Sequence, residues 1–128
     1  MLSFDTRDAL LTALDLPLDL QLHCLLADRV KDAMACELGD MTHILVVQPG
    51  DTEADIIDAI GFSPLVHRIH GTRCGDPAFE PDWNWWERHD GWTELLYCVG
   101  DSGFAYVIFV QDGEGVLPDL LSLCRMRQ

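Results

Sequence analysis

At 128 residues the chain has the size of one ordinary domain, and the 48% of hydrophobic residues spread along it supply enough apolar surface for a single core. Its 22 acidic side chains against 8 basic ones give a formal net charge of −14, which repels phosphate backbones and anionic lipid headgroups and so argues against direct binding of nucleic acid or a membrane surface. The opening Met1-Leu2-Ser3-Phe4-Asp5 lacks the basic and apolar regions of an export signal, and the apolar run starting at Phe104 is far short of the roughly 20 residues that span a bilayer, so a cytoplasmic protein is expected.

In chain order, Asp5 or Thr6 caps a short helix through Ala9, Leu10, Ala13 and Leu14. Pro17 starts a second helix, on which Leu18, Leu22, Leu25, Leu26, Val30, Ala33, Met34 and Leu38 recur every three or four residues and form one apolar stripe, with Gly39 as its C-terminal stop. Ile44-Leu45-Val46-Val47, closed by Pro49-Gly50, reads as a buried strand. Thr52-Glu53-Ala54-Asp55 has the spacing of a capping box and opens a helix through Ile56, Ile57 and Ile60 that Gly61 ends. Residues 65–69 suggest a further strand, and residues 71–81, with two prolines and two glycines, a loop.

Pro81 suits the first turn of a helix reaching about His89 and stopped by Gly91. Residues 92–99 and 104–110 flank Gly100-Asp101-Ser102-Gly103 and predict a hairpin, whose second strand is apolar on both faces and therefore central. Residues 117–124 predict a last short helix, followed by Arg125 and Arg127 at its negative end. Together these elements predict an α+β fold with a three- or four-stranded, mainly antiparallel sheet covered by helices. A single domain, 1–128, is expected, with residues 1–40 as a helical N-terminal segment and 41–128 as the α+β core.

Gly75-Asp76-Pro77, Trp83-Asn84-Trp85, His89-Asp90-Gly91-Trp92 and Asp101-Ser102-Gly103-Phe104 punctuate this pattern. With them, residues 41–124 resemble small uncharacterised bacterial proteins of plasmids and other mobile elements. Ala105 stands where a second glycine would be usual in that pattern. The resemblance implies a setting of conflict between a mobile element and its host. It carries over no catalytic residue.

The chemistry-bearing residues are few. His67, His70 and Cys74 offer three zinc-type donors within eight residues, with Asp76 and His89 as additions, but no second Cys or His pair stands at a recognised metal-ligand spacing. Cys24, Cys36, Cys74, Cys98 and Cys124 are odd in number and widely spaced, which suits free thiols that act mainly as small buried hydrophobes. Neither Cys74 nor Cys98 has a neighbour that marks it as a nucleophile. Gly100-Asp101-Ser102-Gly103 resembles the serine context of trypsin-like proteases but reads here as a turn in a chain too small for that fold. No Walker or dinucleotide loop occurs, and no cofactor is expected.

The segment Pro81-Asp82-Trp83-Asn84-Trp85-Trp86-Glu87 is the most distinctive. On the expected helix Trp83 and Trp86 share a face and Trp85 projects elsewhere, either capping the core or anchoring a partner. Glu80, Asp82, Glu87 and Asp90 would rim it with negative charge. The expectation is a non-catalytic acidic interaction module that uses Trp83, Trp85, Trp86, Asp82, Glu87 and Asp90 against a basic protein surface, an inhibitor or DNA mimic of a mobile element being one form of it. The alternatives are a small metal-dependent or thiol enzyme using His67, His70 and Cys74, and a structural homodimer built on the stripe of residues 17–38.

Overall fold

The computed structural model describes residues 1–36, 42–73, 76–80, 82–99 and 104–112. They form β1 (Leu2–Phe4), α1 (Arg7–Ala13), α2 (Leu20–Cys36), β2 (Thr42–Val47), α3 (Glu53–Ile60), β3 (Trp85–His89), β4 (Trp92–Val99) and β5 (Phe104–Gln111). The fold is α+β, an open five-stranded sheet in the order β1-β2-β5-β4-β3. Three neighbouring pairs run antiparallel, while β2 and β5 pair in parallel from Thr42 opposite Ala105 to Val47 opposite Val110. A parallel pair needs a long crossover. The chain between β2 and β5 supplies it, with α3 packed over the sheet.

Local signals place the helices. Thr6 accepts from the Ala9 N–H at the start of α1, and Thr52 and Asp55 form the reciprocal capping box of α3. Gly61 ends α3 at φ +85°, a left-handed conformation that costs glycine little. Asp19 begins α2, its carboxylate accepting from the Leu22 N–H.

Apolar residues cover both faces of the sheet. On one, α1 and α2 bury Leu10, Leu22, Leu26 and Val30 against Ile44, Val46, Trp92, Val107 and Phe109. On the other, Ile56, Ile60, Leu65 and Trp83 cover Leu45, Val47, Leu95, Tyr97, Ile108 and Val110. As its two-sided apolar pattern predicts, β5 is the middle strand, with Val107, Ile108, Phe109 and Val110 all essentially inaccessible. Among the described residues of the α2 stripe, Leu22, Leu25, Leu26 and Val30 are buried against the sheet.

The structure corrects several expectations. The sheet has five strands rather than three or four, because Leu2–Phe4 pairs onto β2 and Trp85–His89 onto β4. Residues 1–36 contribute β1 as well as helices, and Leu2, Ser3 and Phe4 pair with Val46, Leu45 and Ile44. Residues 65–69 are not a strand. Only an isolated bridge joins Val66 to Arg73, the chain turns at Gly71 with φ +70°, and Ile69 is exposed. The helix expected over 81–89 is a strand from Trp85. Cys24 and Cys98 are free thiols, as expected, but both are exposed rather than buried. The helix stop at Gly39, the turn at 100–103, the helix over 117–124 and Cys74 fall outside the described residues. Among the described residues no helix is long and apolar enough to cross a membrane.

Candidate functional site

Strand β3 exists because Asp90-Gly91 is a two-residue hairpin turn, with His89 opposite Trp92 and Gly91 at φ +83°. Alternation along β3 then sorts the tryptophans by face rather than by helical turn. Trp86 pairs across from Leu95 and packs on the core beneath α3, where Trp83 is also buried, edge-on to Tyr97. Trp85 pairs across from Leu96 on the opposite face and keeps 40% of its surface exposed. Arg29 of α2 places its guanidinium 5.8 Å from the Trp85 ring centroid, within cation–π range.

Glu87 and His89 follow Trp85 on the same face, and Glu94 of β4 lies directly opposite Glu87. Glu94 is the organising group. It is almost wholly buried on a face otherwise filled with apolar side chains, where an unpartnered carboxylate would be very costly. Arg29 Nε donates to Glu94 Oε2 at 2.6 Å and its Nη2 pairs with the same oxygen, while His89 Nε2 lies 2.8 Å from Oε1. His89 Nε2 also stands 3.9 Å from Glu87 Oε2. Nearby, the Trp92 indole N–H donates to Asp19 at 3.1 Å, so two polar contacts pin α2 to β4 beside the exposed indole.

On the other face Arg88 forks onto Asp112 at 2.7 and 2.8 Å and donates to the buried Thr93 hydroxyl, tying the hairpin to the end of β5. Asp82 is not the free acidic rim expected of it. Its carboxylate accepts from the Arg68 backbone N–H and from Arg68 Nε, and that guanidinium lies over the Phe62 and Tyr97 rings. Glu80, Glu87 and Asp90 are exposed. Arg29, Arg68, Arg73 and Arg88 each pair with a carboxylate. The bond from Arg73 holds the Glu53 carboxyl below its ordinary value, and backbone and hydroxyl bonds to Thr52 do the same for Asp55.

His67 and His70 do come together, with rings stacked at 4.4 Å. The Nδ1 of His67 is taken, however, accepting from the backbone N–H groups of Ile69 and His70. His67 and Arg68 also border a shallow apolar depression of about 280 Å³ with Ile57, Phe62 and Val66. Among the described residues, Glu87, His89 and Glu94 form a group whose ligand atoms all lie within 4.8 Å of one another. Arg29, Asp19 and Glu94 were missed in the sequence. The signal available for Glu94 was a single charge between the apolar Trp92 and Leu96 on one face of β4.

No family model matches the chain, and neither curated proteins nor solved structures give a match.

Proposed function

We propose that this protein is a non-catalytic binding module that takes a basic segment of another protein along the outer edge of its sheet, with Trp85 as the aromatic anchor. The observation that carries this is the split of the tryptophans. Trp83 and Trp86 serve the core, whereas Trp85 is exposed on the last strand, beside Glu87 with 54% of its side chain exposed. Among the described residues β3 has a neighbour on one side only. An extended segment adding there would gain main-chain hydrogen bonds, and its lysines or arginines on one face would meet the Trp85 ring and the Glu87 carboxylate. A charge of −14 opposes the same edge-to-edge contact between two copies, so the edge selects a cationic partner over self-association.

The test is capture from a cell lysate at low salt on immobilised protein, followed by association and dissociation rates for the species recovered. Trp85→Ala is expected to raise dissociation, costing about 2 kcal/mol or more as an interface hot spot, while Glu87→Gln slows association in a salt-dependent way. Retention of the same species by folded Trp85→Ala with unchanged rates refutes the assignment.

A further inference from the structure

We propose that Glu87, His89 and Glu94 form a binding site for a first-row divalent cation, zinc being the best match to one imidazole and two carboxylates. The site is distinct from the His67, His70 and Cys74 set, and it does not depend on the binding reading above. Its first support is geometric. The three ligand atoms lie within 4.8 Å of one another, with His89 Nε2 at 2.8 Å from Glu94 Oε1 and 3.9 Å from Glu87 Oε2. Tetrahedral ligands about 2.0–2.1 Å from zinc stand roughly 3.4 Å apart, so an ion would replace the hydrogen bond between His89 and Glu94 by opening it about 0.6 Å and would draw the Glu87 carboxylate in by about 0.5 Å.

The second support is electrostatic. Glu87 and Glu94 are directly opposite on paired antiparallel strands, an arrangement in which like charges repel, and Glu94 is almost entirely buried. Arg29 neutralises one carboxylate through Oε2 and leaves a second negative charge facing the imidazole. A cation between Oε1, Nε2 and the Glu87 carboxylate compensates that second charge. Arg29 then acts as a positioning residue. It holds Oε2 so that Oε1 points at His89, as outer-shell partners of metal ligands do. Three protein ligands leave a fourth tetrahedral position for water or for a donor from a bound molecule.

The experiment uses the full chain, stripped with chelator, and titrates it with Zn²⁺ by calorimetry and with Co²⁺ by visible absorption. One equivalent is expected to bind, with cobalt d–d bands and no thiolate-to-cobalt charge transfer, because the ligands are nitrogen and oxygen. His89→Ala and Glu87→Gln, both outside the central core, should weaken binding by about tenfold or more. A His67→Ala/His70→Ala double variant should bind as the parent does. Glu94→Gln is informative only where circular dichroism shows it folded, and the other two variants test the site without it. Absence of binding overturns the proposal and leaves the three residues as an ion-pair network only. So does binding that survives His89→Ala and Glu87→Gln, or that is lost in the His67→Ala/His70→Ala variant.

Discussion

Phe109→Ala tests whether β5 is the structural centre. Phe109 has no accessible surface, lies on the third of five strands, and sits between Val46 of β2 and Glu94 of β4 beneath α1 and α2. Removing the ring loses the transfer free energy of a fully buried apolar side chain, roughly 2–3 kcal/mol. It also opens a cavity of roughly 100 Å³, which at about 24 cal/mol per Å³ adds roughly 2 kcal/mol if the surroundings do not collapse. Partial collapse brings the total to about 3–5 kcal/mol. A chain of this length has about 6–19 kcal/mol of stability, so the variant should fold and remain measurable. Urea unfolding followed by circular dichroism should show a lower midpoint at an unchanged slope. A loss below about 1 kcal/mol would mean that Phe109 is not buried between the sheet and the two N-terminal helices, and the layer arrangement would fall with it.

Two further predictions concern α3. Thr52→Ala removes the hydroxyl that accepts from the Asp55 N–H and should cost about 1 kcal/mol in the same urea assay; no change would show that the cap is not formed in solution. Glu53→Gln tests pH linkage, since the folded carboxyl titrates below its ordinary value of 4.5 by virtue of Arg73. Its contribution is full above that value and is lost as pH falls through the lower, folded one. The stability gap between parent and variant should therefore narrow from about pH 7 to about pH 3, and a gap that widens on acidification would reverse the sign of the interaction.

What was legible in the sequence was whatever local chemistry dictates. The Thr52 and Asp55 box, the Gly61 stop, the α2 stripe from Leu22 to Val30 and the two-sided apolar run of β5 all appear where their patterns place them. β1 escaped because three residues, Leu2–Phe4, are too few to show alternation, and its existence depends on the exposed edge of β2, a distant segment. β3 escaped for a different reason. Trp85-Trp86-Glu87-Arg88-His89 fits both a helical turn and a strand, and the deciding signal was Asp90-Gly91, a hairpin dipeptide that also serves as a helix stop. The candidate site was half visible for the same reason. Trp85, Glu87 and His89 belong to the segment that stood out, but Glu94 and Arg29 join them only through strand pairing and the docking of α2, contacts of long sequence separation.

The Arg29, Glu94 and His89 network also bears on why the chain keeps polar groups on an apolar face. A buried ion pair gives little net stability, because its mutual attraction must first offset the desolvation of both charges, and well-packed apolar replacements often do as well. Stability alone therefore does not account for Glu94 here. The network does fix a relative placement that apolar packing leaves loose. Arg29 comes from the middle of α2, Glu94 from β4 and His89 from β3, so the three together set the rotation of α2 and the lie of the hairpin. The same guanidinium lies against the exposed Trp85 ring. A cationic group reaching that ring must therefore share it with Arg29 or displace it. Displacing Arg29 would strip the buried Glu94 of its compensating charge, so a group that stacks on Trp85 leaves the network intact only where the guanidinium stays in place.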